Sequence, residues 1–442
     1  MSDGWFKTTV GEYSPFVYGK AIKKDDQRTM GIPVYGSNGI YTYSDSALVQ
    51  QHAVIIGRKG SVGEVHLSAE KCWISDTAFY VIKDSLDESY FVYYLLSSLG
   101  LENMNTDAAV PGLNRDNAHR LEIKIPNSIE KRINLVEPLI KLDQKIHLNN
   151  QINQTLESIA QAIFKSWFID FEPVRAKIAA KQEGKAPELA AMCAISGKSE
   201  DGLQQMAEGD FAELQEIAAL FPNELIENEL GEVPKGWEIL DIDKTTSLII
   251  DHRGKTPKKL GSDWSDIGIT VLSAKHVKDG CIVNREQLRF VDLDLYSKWM
   301  KEELEEGDIL LTSEGPMGEM YYLAFDEKYC LSQRLYALRA NTDLISSAFL
   351  YFWLLSPLAK SDMNGRATGT TVVGIRQAEL RKVKVLTPPK SICDLFNEKV
   401  KANLKQIALN NSKSVALAQI RDILLPKLMA GDLTLTVGLS DE

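Results

Sequence analysis

Within 442 residues the same succession of short motifs occurs twice. Asp3-Gly4-Trp5 near the start answers to Lys235-Gly236-Trp237, and Gly60-Ser61-Val62-Gly63-Glu64 answers to Gly315-Pro316-Met317-Gly318-Glu319. Phe91-Val92-Tyr93-Tyr94-Leu95 pairs with Phe349-Leu350-Tyr351-Phe352-Trp353, and Pro111-Gly112-Leu113-Asn114-Arg115 with Val373-Gly374-Ile375-Arg376-Gln377. Ile125-Pro126 then matches Thr387-Pro388, and Leu148-Asn149-Asn150 matches Leu409-Asn410-Asn411. Any one pair is weak, because glycines and aromatic residues recur in many folds. The same order in both halves, at separations between 232 and 262 residues, is strong. So long a period excludes a solenoid and indicates a duplicated module.

Each copy reads as a globular part followed by a long helix. Short apolar runs at 53–57, 77–82, 308–312 and 335–339, set between Gly-rich turns, predict strands. The apolar segments 91–101 and 349–358 predict buried helices, so each globular part is expected to be α+β. Leu135, Leu139, Leu142, Ile146, Asn149, Asn153, Leu156, Ala160, Ile163 and Trp167 alternate steps of four and three, the spacing of a coiled-coil seam. Shifted by 261 residues, the seam becomes Phe396, Val400, Asn403, Ile407, Asn410, Ser414, Leu417, Arg421, Leu424 and Leu428. A stripe this narrow suits helix pairing better than a globular core. Asn149 and Asn410 share one seam position, where a buried Asn pair would set the register. Antiparallel pairing would relate the two modules by a pseudo-two-fold axis and give two readers at a fixed separation. Pro138 predicts a kink or a separate segment before Leu139, while Pro426 and Gly431 predict the end of the second helix.

The net charge of −11 argues at first against a nucleic-acid partner. It is, however, concentrated: residues 171–236 hold 13 acidic and 6 basic groups, and the remainder is close to neutral. That segment reads as a solvated helical connector. Local basic patches elsewhere could still meet phosphates. The five cysteines are far apart, with no Cys-x-x-Cys, so neither a disulfide framework nor a thiolate metal site is expected. No apolar run approaches membrane-spanning length, and the first residues lack a signal-peptide pattern, so a cytoplasmic location is expected. Gly254-Lys255-Thr256 and Gly197-Lys198-Ser199 lack the first glycine of a P-loop, having Ile249 and Met192 in its place. Pro388-Pro389 follows Thr387 rather than the Asp or Asn of an adenine methyltransferase motif. No nucleophile–base pair, metal-ligand set or cofactor loop emerges, so no catalytic residue is expected in this chain.

Three stretches carry a resemblance: Leu142 to Glu157 (LDQKIHLNNQINQTLE), Trp167 to Pro173 (WFIDFEP), and Leu220 through Trp237. The loops Pro33 to Gly39, Arg253-Gly-Lys-Thr-Pro257 and Gly369 to Arg376 extend it. Together they resemble the specificity subunits of type I restriction–modification systems over nearly the whole chain. The resemblance implies a target recognition domain at 1–127, a spacer helix at 128–170, an acidic helical linker at 171–236, and a second recognition domain at 237–389. A second spacer helix at 390–433 and a tail at 434–442 complete it. It also implies double-stranded DNA as ligand, read as an interrupted bipartite target. Two modification subunits, with S-adenosylmethionine and adenine-N6 methylation, and two restriction subunits, with ATP and Mg, are the implied partners. No cofactor would bind this chain and no membrane would be involved.

Base reading needs Arg, Lys, Asn, Gln or His on loops, with Ser and Thr on phosphates. In the first recognition domain Arg58, Lys59, Ser61, Asn114 and Arg115 are the candidates. In the second they are His252, Arg253, Lys255, Thr370, Thr371 and Arg376. The competing reading of each is a solvated loop charge or a turn residue. Two other readings of the whole chain stay open: a specificity subunit of a methylation-only or both-sides-cutting system, and a coiled-coil adaptor with no nucleic-acid role.

Overall fold

The computed structural model describes residues 4–104, 112–252, 254–369 and 372–433. The chain divides into two units, residues 1–149 with 413–442, and residues 150–412. Each unit combines a mixed globular part with portions of both long helices.

In the first unit, Val17–Tyr18, Ala78–Val81, Ala53–Gly57 and Val65–Ser68 form a four-stranded antiparallel sheet in that spatial order. A second sheet orders Gln27–Arg28, Gly39–Ser44, Ile32–Gly36 and Trp73–Ile74, the last pair being parallel. Trp5–Thr9 closes against Glu122–Pro126. The second unit repeats the plan. Thr246–Asp251, Leu335–Ala340, Ile309–Thr312 and Met320–Tyr322 make the four-stranded sheet, and Glu238–Asp241 pairs with Lys384–Thr387. Its second sheet has three strands, Arg289–Val291, Ile269–Leu272 and Tyr329–Leu331, again with one parallel pair. Ala53–Gly57 and Ile309–Thr312 are buried throughout, as interior strands of their four-stranded sheets.

The helices predicted from apolar content at 91–101 and 349–358 occupy Leu86–Ser97 and Ser347–Leu355. Polar caps rather than apolar residues set their limits: Ser85 accepts from the Glu88 amide and Ser346 from the Phe349 amide. Pro357 opens a further helix, Pro357–Arg366, capped by Ser356.

The long helices run over Ile129–Phe168 and Lys390–Ala430, about 60 Å each at 1.5 Å per residue. Pro138 does not separate a segment. The helix continues through it, held by Val136 and Leu139, both fully buried in the first unit's core. Pro426 is likewise inside the second helix, which ends only at Gly431 with φ +76°. The two helices pair antiparallel in each unit: Asp143 meets Arg421 in the first, and Asn153 meets Asn410 and Asn411 in the second. Asn149 and Asn410 are 2 % and 3 % exposed. Each finds a polar partner other than the equivalent asparagine. Asn149 Nδ2 donates to Ser414 Oγ at 3.1 Å, and Asn410 Nδ2 donates to Asn153 Oδ1 at 2.9 Å. An antiparallel pair brings a position opposite its own repeat only at the centre of symmetry, so these positions are met four residues along.

The acidic connector is more than a solvated run. It folds into helices Glu172–Gln182, Pro187–Ser196, Glu200–Gln204 and Glu208–Leu220, then a hairpin of Leu225–Asn228 with Gly231–Pro234. Ala191, Met192, Leu203, Leu214 and Ala218 form its own small core. Phe171, Val174, Ile217 and Phe221 join Trp167, Phe168 and Trp237 in the main core of the second unit. The negative charge sits on the opposite, solvated faces.

Candidate nucleic-acid interface

The two units share a loop clamp built from backbone hydrogen bonds. In the first, the turn after Ala53–Gly57 closes with Gly57 N–H on Glu64 O at 2.8 Å and Gly63 N–H on Gly57 O at 2.8 Å. Gly63 has φ +75°, and a Cβ there would lie 2.3 Å from the Leu101 and Glu102 backbone, so only glycine fits. Arg58 N–H donates to Thr77 O at 2.9 Å and Arg58 O accepts from Leu113 N–H at 2.9 Å. Lys59 bridges to Gly112. In the second unit the same bonds recur: Thr312 N–H to Glu319 O at 2.9 Å, Gly318 N–H to Thr312 O at 2.9 Å, Ser313 N–H to Arg334 O at 2.9 Å, and Ile375 N–H to Ser313 O at 2.9 Å. Glu314 bridges to Gly374. The scaffold is duplicated while its side chains are not: Arg58-Lys59 in one copy stands where Ser313-Glu314 stands in the other.

In the first unit the clamp converges on Tyr18. Its ring, 47 % exposed, has the guanidinium of Arg58 at 5.0 Å from the centroid and that of Arg115 also at 5.0 Å. Arg58 Nη1 donates to Asp76 O at 3.0 Å, which fixes the plane of its fork. Lys59 is exposed and Ser61 half-buried. Asn114 is spent on structure, its Oδ1 accepting from Asn117 N–H at 3.1 Å to cap Arg115–His119. That helix ends on His119, whose Nε2 accepts from Phe16 N–H at 2.9 Å and so holds the Tyr18 strand against it. Burial, and then the Arg115 cation, lower the His119 pKa, which keeps the ring a neutral acceptor. The result is an aromatic platform with two stacked guanidiniums and a neighbouring ammonium, a set suited to base edges and phosphates.

The second unit differs. Arg376 is exposed at the N-cap of Gln377–Leu380. Glu314 and Arg334 form an ion pair at 2.7 Å, half-exposed beside it. Arg253, Thr370 and Thr371 lie outside the described residues. His252 and Lys255, expected on a reading surface, are turned inward. His252 is 4 % exposed with Nε2 unpartnered, and burial, then Lys255, lower its pKa. Lys255 Nζ donates to Trp299 O at 2.7 Å. Each follows from its place: His252 directly follows the strand Thr246–Asp251, and Lys255 anchors the next turn to the helix Leu293–Trp299.

Sequence reading missed Tyr18, Glu314 and Arg334. Superposing the two copies of the Gly-x-x-Gly-Glu turn exposes the Arg58-Lys59 to Ser313-Glu314 exchange, so Glu314 was within reach. Tyr18 had no signal beyond its place in an apolar strand. Among the described residues no cluster of His, Cys, Asp and Glu could hold a metal ion, and no helix is long and apolar enough to cross a membrane.

Two α+β units with paired long helices and one duplicated loop clamp define a two-site reader. The model for the type I restriction modification DNA specificity domain matches residues 2–158 and again 234–417, and the chain belongs to that family. The specificity subunit of the type I restriction enzyme HindI from Haemophilus influenzae is 29 % identical over 428 residues, covering 94 % of this chain and 88 % of that one. The MjaIX specificity subunit from Methanocaldococcus jannaschii is 24 % identical, covering 78 % of this chain and 69 % of that one. The crystal structure of a type I restriction–modification S subunit from M. genitalium has the same fold, with a TM-score of 0.56 at 13 % identity, covering 99 % of this chain and 98 % of that one. The role of the chain is that of a type I specificity subunit.

Proposed function

We propose that this chain reads an interrupted, bipartite double-stranded DNA target, one half-site per recognition domain, and contributes no chemistry of its own. The observation that carries this is the loop clamp, built twice on the same backbone bonds and furnished with different side chains. A scaffold kept while its exposed groups change is what reading two unlike half-sites requires. In the first domain Arg58 and Arg115 on the Tyr18 platform face base edges, with Lys59 and Ser61 on phosphate. In the second, Arg376 and the Glu314–Arg334 pair take that place.

Two modification subunits would supply S-adenosylmethionine binding and adenine-N6 transfer. Two restriction subunits would supply ATP- and Mg-dependent cleavage. This chain would set where both act. The test is methylation mapping of DNA carrying this chain with its modification subunits. Methylation at one asymmetric motif interrupted by a fixed gap is expected. Methylation without a bipartite motif overturns the reading.

A further inference from the structure

The two copies of the repeat differ where the buried helix of the recognition domain meets both long helices. In the first unit Tyr94 Oη donates to Asp143 Oδ2 at 2.6 Å, and Arg421 Nη1 donates to Asp143 Oδ1 at 2.7 Å. Tyr94 is 2 % exposed, and the side chains of Asp143 and Arg421 retain 28 % each. Burial, and then the Asp143 carboxylate, hold the Tyr94 phenol far above its ordinary range, so it stays the donor.

The repeat offsets of 258 and 261 residues carry Tyr94 to Phe352, Asp143 to Leu404, and Arg421 back to Ala160. In the second unit those three residues are 3 %, 8 % and 0 % exposed within one apolar core. There Phe352 meets the rings of Phe164 and Phe396 at 5.9 and 5.6 Å. One junction is a hydrogen-bonded ionic triad and the other is hydrocarbon.

In each unit one member comes from each long helix, so the match is made between the helices. A long helix offered a second copy of itself would meet the repeat-related position instead. For the first helix, Asp143 would face Ala160, leaving a half-buried carboxylate with Tyr94 alone. For the second, Arg421 would face Leu404 and Phe352, leaving its guanidinium against hydrocarbon with only Asp422, the next residue on its own helix, as partner. We propose that the Tyr94–Asp143–Arg421 triad is a pairing key, by which the first long helix accepts the second and both reject a second copy of themselves. The polar pairs at mid-helix do not discriminate. Exchanging Asn149–Ser414 and Asn410–Asn153 for Asn149–Asn153 or Asn410–Ser414 still leaves donors and acceptors matched. Selection therefore falls to the triad.

Both mispairings can be imitated inside the intact chain. Arg421→Ala sets alanine opposite Asp143, as self-pairing of the first helix would. Tyr94→Phe with Asp143→Leu sets hydrocarbon opposite Arg421, as self-pairing of the second would. The triple variant Y94F/D143L/R421A rebuilds the apolar junction of the second unit. In urea unfolding of the full-length chain, each mimic should raise the unfolding constant about tenfold, because a half-buried charge loses its partner across the helix pair. The triple variant should return most of that loss. A mimic that does not fold, beside a triple variant that does, supports the key equally. A mimic as stable as the parent, or a triple variant no better than the mimics, overturns it.

Discussion

Removing Arg58 separates recognition from folding in the first unit. Its backbone N–H and C=O are committed to Thr77 O and Leu113 N–H, both at 2.9 Å, and neither bond depends on the side chain. Arg58→Ala loses the Asp76 O hydrogen bond and the stacking on Tyr18. A net hydrogen bond is worth about 1 kcal/mol and an exposed cation–π contact about 0.5–1 kcal/mol. The fold should therefore lose about 1–2 kcal/mol, well inside the roughly 5–15 kcal/mol that holds a domain together. Recognition should lose more specifically. A bidentate Arg–guanine contact discriminates by about 1–3 kcal/mol, or roughly 5- to 150-fold at one base pair.

The assay is competition binding and methylation by the complex reconstituted with modification subunits, on DNA randomised one position at a time. Arg58→Ala should relax one position of one half-site by that factor and leave the other half-site untouched. Lys59→Ala should instead weaken all sequences alike and reduce the salt slope by about one ion. Relaxation in both half-sites, or uniform weakening by Arg58→Ala, would show that the Tyr18 platform does not read bases.

Other outcomes follow from the same geometry. The isolated chain should show little sequence-specific binding at physiological salt, since neither recognition domain carries a surplus of basic residues, and a filter-binding titration with and without modification subunits should reveal affinity only in their presence. A fragment ending near Ala180 should self-associate weakly because Asp143 would face Ala160, and Ala160→Arg should tighten the dimer in sedimentation equilibrium; equal association without the arginine contradicts this. Burial is the largest cause lowering the pKa of His119, His252 and His276 below 6.5. The unfolded chain thus takes up protons first, and the contribution of these rings, complete above pH 6.5, should fade as pH drops below it. Denaturation midpoints from pH 7.5 to 5 should show that fall, and it should shrink when the three are replaced by glutamine.

The parts of this fold that sequence reading reached are those repeated or periodic. The seam needs only a four–three alternation, and Leu139, Asn149, Ala160, Trp167, Phe396, Val400, Asn410 and Leu428 are all buried along it. Proline misled because its local cost was read without its surroundings. Val136 and Leu139 bury enough around Pro138 to keep the helix going, at a local cost of about 3 kcal/mol. Composition misled in the connector, where a high acidic count hid the apolar positions that pack Phe171, Ile217 and Phe221 into the core. At the candidate interface, residue type pointed to Arg58, which is on the clamp, and to Arg115 and Arg376, which stand beside it. It also pointed to His252, which is buried, and to Lys255, whose ammonium donates to Trp299 O. A buried histidine after a strand and a lysine whose ammonium donates to the Trp299 carbonyl have the same letters as a base reader; only their surroundings separate them.

The duplication also shows how such a chain can change its exposed loop side chains without losing its fold. The clamp bonds run from N–H to C=O, so positions 58, 59, 313 and 314 can carry any side chain that leaves φ and ψ intact. Their exposed groups are therefore free to differ between copies, and they do, as two cations in one and a serine with an ion-paired carboxylate in the other. The helix junction of the first unit is constrained in the opposite way. There the bonds run between side chains, so a change at Asp143 obliges a change at Arg421. One set of residues varies because its backbone is satisfied without them; the other is coupled because it is satisfied only by its partner. Exchanging Arg58-Lys59 for Ser-Glu should therefore cost no more than the roughly 1–2 kcal/mol held by the Arg58 side chain while altering the first half-site, whereas Asp143→Leu alone should lower the midpoint and leave the methylated motif as it was. An Asp143→Leu variant with an altered motif and parental stability would show that reading and pairing are not separable in this way.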